Sequence, residues 1–380
     1  MSGFTVLTLV GTRPELIKLS LTIAELDRTV RHVLVHTGQN HDFELNEVFF
    51  RDLKIRKPDH FLDAAGATPA ATIARVIERL DAVLEQEQPD AMLLLGDTNS
   101  CLGVIVAKRR KIPVFHMEAG NRCFDDRVPE EINRRIVDHT SDVNLPYTEH
   151  ARRYLIAEGL PPERIVKTGS PMTEILAHFR PAIDASRALE QHGLTPRGYF
   201  VVSAHREENV DSPQRLAALI GALNGVTEKY AVPILFSTHP RTRQRLDALA
   251  SPKASPLIRF VKPLGFFDYV RLQLDSRCAI SDSGTLTEES AILGFPAVMI
   301  REAHERPEGM DEGTVVMTSL DADAVLRSIE VVCRHADAPR RIPPDYASDD
   351  VSRKVVRIIL SYTDLVNRTV WFKGPATAAT

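Results

Sequence analysis

The sequence predicts an α/β protein of two domains, each built on a buried parallel sheet. Three observations support this fold class. Short apolar runs recur along the chain, each is followed by a polar turn and a helical pattern, and the series restarts near the middle. Runs that are apolar throughout are typical of strands covered by helices on both faces. A length of 380 residues also suits two domains, at roughly 150 residues each.

Ten apolar runs are the predicted strands, five in each half. Between the halves, residues 167–171 (KTGSP) suit a hinge, because proline restricts the backbone and glycine frees it. We therefore expect domains at 1–170 and 171–362. The sequence also predicts an amphipathic helix at 351–365, and we expect the segment 363–380 to rejoin the first domain. The predicted strands are residues 5–10, 33–35, 91–95, 113–115, 143–145, 199–202, 233–236, 258–261, 278–280 and 297–300.

Composition excludes several classes of function. The formal net charge of −4 provides no basic surface for nucleic acid. The first residues lack the pattern of a secretory signal, and no window approaches the roughly 18 apolar residues of a membrane span. The four cysteines are scattered without the spacing of a zinc site or a disulfide framework. We expect a cytoplasmic protein with no nucleic-acid or membrane partner.

Unusual polar clusters follow the predicted strands directly, at their carboxyl ends. Ligands of open α/β sheets bind in the crevice at that edge. Two domains that each present such an edge would enclose a cleft. The clusters are residues 11–15 (GTRPE), 96–100 (GDTNS), 116–120 (HMEAG), 203–209 (SAHREEN), 281–285 (SDSGT) and 301–307 (REAHERP).

Ser283, Gly284 and Thr285 precede a predicted helix, whose free N–H groups and dipole favour a phosphate. An ordinary capped helix explains these three residues equally well. The acidic pair at 288–289, one turn inside the helix, favours a nucleotide, because Glu289 is placed to accept from ribose hydroxyls. Neither a P-loop nor a Gly-x-Gly-x-x-Gly fingerprint occurs. Three arginines could add forked donors to phosphate oxygens: Arg13, Arg301 and Arg306.

A second set of residues has the chemistry of acid and base catalysis. Asp97 and Glu118 end two consecutive strands, and carboxylates crowded together raise one another's pKa. Glu130 follows a proline at a helix start, where an acidic residue has an ordinary structural explanation. His205 is a catalytic candidate or a structural histidine. Tyr269 either stacks on a base or belongs to the core.

These motifs, in this order, resemble those of the non-hydrolysing UDP-N-acetylglucosamine 2-epimerases over most of the chain. The carriers of the resemblance are residues 11–15, 96–98, 118–120, 129–134 (PEEINR), 205–207 and 282–284. Residues 36–40 (HTGQN), 115–124 and 301–307 are most similar to the branch that forms UDP-N-acetyl-L-fucosamine by 2-epimerisation of UDP-2-acetamido-2,6-dideoxy-L-talose.

The resemblance implies two Rossmann-like domains with parallel sheets facing across a cleft, as in glycosyltransferase-B folds. It implies a homodimer without metal or dinucleotide cofactor. The implied reaction removes the C2 proton of a UDP-2-acetamido sugar, expels UDP from C1, and re-adds UDP as C2 is protonated on the other face. The implied role is the supply of precursors for bacterial capsule or O-antigen polysaccharide.

The resemblance also implies roles for individual residues. Asp97, Glu118 and Glu130 match the acid and base carboxylates, and His205 matches the catalytic, phosphate-contacting histidine. These matches do not specify which carboxylate removes the C2 proton. The matched UDP-binding positions are Arg13, Lys18, Tyr269, Ser283, Gly284, Thr285 and Glu289.

The sequence departs from the family pattern at two places. Thr285 replaces a second glycine in the diphosphate loop, and residues 37–41 (TGQNH) differ from the segment of substrate-activated members, so we expect no such activation. Two other activities stay open. One is a UDP-N-acetylglucosamine 2-epimerase that makes UDP-N-acetylmannosamine, and the other is a retaining UDP-sugar glycosyltransferase on the same architecture.

Overall fold

The computed structural model describes residues 3–39, 49–238, 240–249, 251–303, 305–336 and 341–373, with the backbone alone at 207, 208, 240 and 241. Three motif residues named above lie outside the described residues: Asn40, His41 and His304. Residues 374–380 of the C-terminal segment also lie outside them. The chain forms two units, Met1–Ile175 with Asp345–Thr380, and Leu176–Pro344.

The first unit is built on a six-stranded parallel sheet in the order β3-β2-β1-β4-β5-β6. Its central strands are completely buried, because helices cover both faces of a parallel sheet. Its strands are β1 (Thr5–Val10), β2 (Arg31–His36), β3 (His60–Phe61), β4 (Ala91–Leu95), β5 (Val114–Met117) and β6 (Val143–Leu145).

Helices connect these strands, and several begin with recognisable caps. Thr12 and Glu15 form a capping box at the start of the first helix, and Thr68 and Thr148 cap two others. The helices of the first unit are α1 (Arg13–Thr29), α2 (Pro69–Glu87), α3 (Val104–Arg109), α4 (Pro129–Thr140), α5 (Glu149–Ala157), α6 (Met172–His178), whose last residues enter the second unit, and the C-terminal α16 (Val351–Thr369).

The second unit repeats the architecture of the first. Its parallel sheet has the order β12-β11-β10-β7-β8-β9, which is the strand order of the first sheet with the numbering continued. Its strands are β7 (Phe200–Ser203), β8 (Ile234–Ser237), β9 (Ile258–Val261), β10 (Cys278–Ser281), β11 (Ala297–Ile300) and β12 (Val316–Thr318).

Nine helices of the described chain accompany this second sheet. The longest begins at Pro213, where proline costs nothing because the first N–H of a helix has no intrahelical partner. They are α7 (Arg180–Asp184), α8 (Ala188–Gln191), α9 (Glu207–Val210), α10 (Pro213–Tyr230), α11 (Pro240–Ala248), α12 (Phe266–Asp275), α13 (Thr285–Leu293), α14 (Pro307–Asp311) and α15 (Ala322–Arg334).

Both sheets therefore have the doubly wound order of dinucleotide-binding domains, and the prediction of a two-domain α/β fold is confirmed. In this order the chain reverses direction across the sheet between the first and fourth strands, which opens a crevice at their carboxyl ends. In the first sheet the crevice lies beyond β1 and β4, and in the second beyond β7 and β10. The polar clusters at 11–15, 96–100, 203–209 and 281–285 start at these four strand ends.

The return of the chain to the first unit corrects the expected boundary at residue 363. The first unit resumes at Asp345, so the whole of α16 belongs to it. The Asp345 carboxylate bonds Lys167 Nζ at 2.6 Å and the Glu149 backbone N–H at 2.8 Å. The apolar face of α16 then packs on α1. Amphipathic periodicity predicted this helix correctly, but it does not specify which sheet the apolar face covers.

Two strands were missed, and both lie at sheet edges. His60–Phe61 has two residues and Val316–Thr318 has three, and neither is an uninterrupted apolar run. Their backbone pairing to β2 and β11 makes them strands, and an apolar pattern is not needed there. In the part of the chain that the structure describes, no helix combines the length and apolar character that crossing a membrane requires.

Candidate active site

Asp97 is the second residue after the end of β4, at the switch point of the first sheet. Its carboxylate oxygen Oδ2 accepts from both Nε and a terminal nitrogen of Arg134, each at 2.7 Å. The Asn133 amide donates to the Asp97 backbone carbonyl at 2.9 Å. Helix α4 therefore fixes both the backbone and the side chain of Asp97, which stays about a quarter exposed and open to a ligand.

Glu130 lies in the first turn of α4, one helical turn before Arg134. Residues four apart in a helix share a face, so Glu130 is next to Arg134, which bonds Asp97. The Glu130 side chain is half-buried, and within the described residues it has no hydrogen bond or ion pair. This placement allows a chemical role in addition to the helix-start role that its position after Pro129 explains.

Glu131, its neighbour, has a purely structural set of contacts. Its carboxylate is fully buried and accepts the backbone N–H groups of Cys123 and Phe124, both at 3.1 Å. It also accepts from Arg134 at 2.9 Å. Burial alone would raise the pKa of Glu131, but these N–H groups and the guanidinium outweigh it and lower the pKa. Glu131 therefore orients the arginine that holds Asp97.

Glu118 follows β5, the strand that pairs with β4, so both candidate carboxylates end neighbouring strands. Its φ of 63° is in the left-handed region, which residues other than glycine adopt at an energetic cost of order 1–3 kcal/mol. Its Oε2 accepts from Lys18 Nζ at 2.5 Å, and both side chains are largely buried. A neighbouring ammonium favours an ionised carboxylate. Glu118 is thus presented as a charged group on a strained turn.

Two residues expected at phosphate lie on α1. Lys18 points to Glu118, so in this structure its ammonium supports a carboxylate of the same unit. Arg13 is the first residue of the helix, and its guanidinium lies over the Phe49 ring, 5.6 Å from the centroid. Cation–π packing of this kind restrains the guanidinium.

Glu15 joins the two loops at the first switch point. Its carboxylate accepts the backbone N–H groups of Gly11 and Thr12 on one side and the hydroxyl of Thr98, next to Asp97, on the other. The side chain is 2% exposed. Burial is the largest cause that raises the pKa of Glu15, to about 7, against the hydrogen bonds that lower it.

This raised pKa predicts a pH-dependent stability that Glu15→Gln removes. Between pH 4.5 and 7 the unfolded chain releases the proton that folded Glu15 keeps, so stability falls as pH rises through that window. The shift corresponds to about 3 kcal/mol. A glutamine accepts the same N–H groups with its amide oxygen and has no charge at either pH. Urea unfolding at pH 5 and pH 8 should show that the free energy of unfolding falls less between these two pH values in the variant than in the wild type. Equal losses in both proteins would contradict the assignment.

The second switch point is organised by Asp282, which is fully buried just beyond β10. It accepts the backbone N–H groups of His205 and Arg206 at 3.1 and 3.0 Å, and the Asn209 amide at 3.1 Å. The His205 ring nitrogen Nδ1 lies 3.3 Å from its Oδ1. The imidazole is about half exposed. A carboxylate behind Nδ1 fixes the ring orientation and leaves Nε2 facing outward for chemistry.

Ser283, Gly284 and Thr285 form the start of α13. The hydroxyls of Ser283 and Thr285 are 3.0 Å apart, so the threonine that departs from the family pattern is hydrogen-bonded within the loop. A Cβ added to Gly284 would lie 2.7 Å from Oε1 of Glu305, which explains why glycine stands there. The nine-residue α13 has the free N–H groups and positive dipole end that attract an anion.

Arg301 and Arg306 are both buried beside this loop and bond to protein groups. Arg301 donates to Glu305 at 2.7 Å. Arg306 donates to the Gly284 carbonyl at 3.1 Å and lies 3.3 Å from Glu288. These bonds therefore stabilise the conformation of the loop that contains Gly284. This structural role is separate from the phosphate contact that is expected from the sequence.

Tyr269 and Glu289 lie together in the second unit. Burial raises the pKa of Tyr269, and the charge of Glu289 raises it further, while hydrogen bonds with Ser203 and Ser281 act in the opposite direction. Glu289 is largely buried and accepts from the Gln273 amide at 2.8 Å. The phenol is thus placed at the carboxyl ends of β7 and β10, beside the acid expected to bind ribose.

Three supporting residues were not recognised from sequence: Arg134, Asp282 and Glu15. Arg134 carried a signal, because it stands one helical turn after Glu130. Asp282 was visible as part of the loop motif, but its bond to His205 joins residues 77 positions apart. Glu15 was visible in the first motif, and only the structure shows that it is buried.

Comparison with known proteins identifies the family. Residues 24–360 match the family described as UDP-N-acetylglucosamine 2-epimerase. A UDP-N-acetylglucosamine 2-epimerase of Methanocaldococcus jannaschii is 30% identical over 92% of this chain and 97% of its own. The UDP-2,3-diacetamido-2,3-dideoxy-D-glucuronate 2-epimerase of Pseudomonas aeruginosa is 33% identical over 85% and 90%.

Solved structures agree with this assignment. The structure of UDP-N-acetylglucosamine 2-epimerase from Rickettsia bellii is 52% identical, covers 98% of this chain and 100% of that one, and superposes with a TM-score of 0.92. MurG of Acinetobacter baumannii, at 14% identity over 94% and 100% and a TM-score of 0.54, supports the glycosyltransferase-B-like fold class alone. The motifs at both switch points and these likenesses together show that the chain belongs to the UDP-N-acetylglucosamine 2-epimerase family and is an enzyme of the isomerase class.

Proposed function

We propose that this enzyme inverts C2 of a UDP-2-acetamido sugar by eliminating and re-adding UDP. One observation carries the proposal: each sheet presents a different half of the required chemistry at its own switch point. The first has two carboxylates held by cations, Asp97 on Arg134 and Glu118 on Lys18. The second has a helix start suited to a diphosphate, next to a histidine oriented by Asp282. The reaction needs both halves to act on one molecule.

In the first half-reaction a carboxylate takes the proton from C2 while the C1–O bond to UDP breaks. The electron pair of the C2–H bond becomes the C1=C2 double bond, and UDP leaves with the C1–O electrons. In the second half-reaction a UDP oxygen adds to C1 as an acid delivers a proton to the other face of C2. No net oxidation occurs, so inversion needs proton carriers on two faces and a fixed site for the leaving group.

The groups of the first unit supply the proton carriers in this proposal. Asp97 and Glu118 end neighbouring strands, and Glu130 lies one helical turn before Arg134, which bonds Asp97. The Lys18 ammonium keeps Glu118 ready as a base. Arg134 performs the corresponding positioning of Asp97.

The groups of the second unit hold the nucleotide. Charge develops on the diphosphate as C1–O breaks, and preorganised N–H donors stabilise that charge where it forms. His205 faces the departing phosphate with Nε2, and Tyr269 and Glu289 bind uracil and ribose. We propose the following UDP-binding residues: Ser283, Gly284, Thr285, Tyr269, Glu289, Arg301, Arg306 and Arg13, with Lys18 acting through Glu118.

Relatives support a UDP-sugar as substrate. The M. jannaschii UDP-GlcNAc 2-epimerase was solved in complex with UDP-GlcNAc and UDP; it is 28% identical, covers 94% of this chain and 100% of that one, with a TM-score of 0.88. The P. aeruginosa relative acts by its name on a diacetamido-glucuronate, so members of this family differ in their sugars. We propose the 6-deoxy-L-talo substrate of UDP-N-acetyl-L-fucosamine formation, in the synthesis of bacterial surface polysaccharide.

The substrate test presents two UDP-sugars side by side and follows C2 inversion by NMR. One is UDP-2-acetamido-2,6-dideoxy-L-talose and the other is UDP-N-acetylglucosamine. A higher kcat/KM for the first supports the L-fucosamine assignment, and a higher value for the second assigns UDP-N-acetylmannosamine formation instead. Sugar transfer to an added acceptor would identify a glycosyltransferase, and UDP accumulation at full conversion would identify a hydrolase. We also propose that the enzyme is a homodimer, and light scattering tests this oligomeric state.

Glu289→Ala is expected to weaken UDP binding, because a carboxylate that accepts from both ribose hydroxyls contributes roughly 1.5–3 kcal/mol. Calorimetry should then show a dissociation constant for UDP raised by about 10-fold or more. Glu288→Ala provides no matched control, since Glu288 pairs with Arg306. Glu312→Ala, on the exposed surface of the same unit, serves instead. An unchanged affinity of Glu289→Ala for UDP would contradict the proposed role of Glu289 in binding ribose.

A further inference from the structure

His116 joins the two turns that carry Asp97 and Glu118, and the proposed mechanism leaves it without a role. It lies on β5, with 1% of its surface exposed. Its Nε2 is 2.8 Å from the backbone carbonyl of Gly96, the residue before Asp97. Its Nδ1 is 2.8 Å from a carboxylate oxygen of Asp138. One imidazole therefore contacts the first turn directly and has a second partner on α4.

Asp138 completes the connection to the other turn. Its carboxylate accepts the Gly120 backbone N–H at 3.1 Å, two residues after Glu118. Gly120 has φ 80°, and an added Cβ would lie 2.5 Å from the Ala151 carbonyl, so the turn is confined on its far side. The path from one carboxylate turn to the other thus runs through Gly96, His116, Asp138 and Gly120.

The hydrogen bonds fix the geometry of this pair. A carbonyl only accepts, so His116 Nε2 carries a proton. Asp138 accepts from Gly120 and from Arg122 at 2.7 Å, which are the contacts of an ionised carboxylate. His116 Nδ1 lies against this carboxylate at 2.8 Å and completes the connection between the two turns. Charge-assisted bonds are shorter and stronger than neutral ones, which suits a rigid support.

We propose that His116 and Asp138 are a positioning pair that sets the turns of Asp97 and Glu118 relative to each other. The inference rests on the proposed function, because inversion requires two carboxylates placed together about one carbon. Neither side chain has to touch the substrate. Misplacement of either turn would slow proton transfer at C2, while the nucleotide contacts of the second unit stay intact.

Two variants of His116 break the path at different points. His116→Asn keeps a donor near the Nδ1 position and loses the bond to Gly96. His116→Gln keeps a donor near Nε2 and loses the bond to Asp138. We expect each to lower kcat by about 10- to 100-fold, because a small misplacement of reacting groups costs up to about that factor, with KM and the dissociation constant of UDP changed less than about 2-fold. Asp138→Asn should do the same, and its combination with His116→Gln should add little.

His32→Asn is the matched control. His32 is buried on the same sheet, with Nδ1 at 2.6 Å from Asp27 and Nε2 at 2.8 Å from Thr8, and it contacts neither carboxylate turn. Its replacement should lower the melting temperature while kcat stays at the wild-type value. If His32→Asn lost as much kcat as the His116 variants, the effect would be one of general destabilisation. That result would overturn the inference.

The assay separates this inference from the function on which it rests. Wild-type enzyme is tested first for deuterium uptake at C2. Absence of uptake in the wild type would overturn the proposed function and the inference together. Uptake in the wild type combined with wild-type kcat in any folded variant among His116→Asn, His116→Gln and Asp138→Asn would overturn the inference alone. Selective loss of kcat in the folded variants supports it.

Discussion

Asp97→Asn is expected to lower kcat for C2 inversion by about 10³-fold, within the range that general acid–base groups contribute. Asparagine keeps the shape of the side chain and accepts from Arg134, but it does not carry a proton at C2. Glu131 continues to bond Arg134, so the arginine is not left without a carboxylate. UDP affinity, which depends on the second unit in the proposed mechanism, should change less than about 3-fold by calorimetry.

Asp90→Asn is the control for this experiment. Asp90 stands at the other end of the same strand, where it accepts the Thr5 backbone N–H at 2.7 Å. Its variant should lose stability and retain kcat. Glu118→Gln should lose turnover as Asp97→Asn does, and it should also be less stable, because it leaves the buried Lys18 ammonium facing an amide. Turnover at the wild-type rate in Asp97→Asn would remove that residue from the mechanism.

Asp282→Asn is expected to lower kcat by about 10²-fold or more through His205. The asparagine oxygen keeps the bonds from Arg206 and Asn209, but its NH₂ group then faces His205 Nδ1. An amide donor that faces Nδ1 cannot accept a hydrogen bond from that nitrogen, so the ring loses the carboxylate that holds Nε2 toward the departing phosphate. The pH profile of kcat/KM should shift as well, which loss of packing alone would not produce.

Asp275→Asn tests whether any carboxylate loss in the second unit has this effect. Asp275 pairs with Arg271 at the end of α12 and has no contact with His205. Its kcat and pH profile should match the wild type. If Asp282→Asn keeps the wild-type pH profile while only its stability falls, His205 is not oriented for catalysis in the way proposed.

The regular part of the fold was predictable because buried parallel strands are apolar throughout. β1, β4, β9 and β11 begin and end at the residues expected from sequence. The short edge strand Val316–Thr318 was not predictable, because only backbone pairing to β11 defines it. The return of the chain at Asp345 depends on its bonds to Lys167 and Glu149, which are far away in sequence.

The candidate site was also predictable from the sequence only in part. That Asp97, Glu118 and His205 stand at strand ends follows from counting along apolar runs. The topology of the two parallel sheets places these ends at the carboxyl edge of each sheet, where ligands bind. The partners were not predictable, because Lys18 and Glu118 are 100 positions apart and meet only in the folded first unit. The burial of Arg301 and Arg306 was missed for the same reason, since an arginine in a motif gives no sign of what covers it.

The most direct test of the central claim follows the hydrogen at C2 during turnover in D₂O with no acceptor present. Proton removal and return predicts deuterium at C2 of the epimerised UDP-sugar, and also in recovered substrate once the reaction runs backward. Asp97→Asn should show neither inversion nor uptake. Inversion with the original hydrogen retained at C2 would contradict elimination and re-addition of UDP, because it would mean that the C2–H bond never exchanges with solvent.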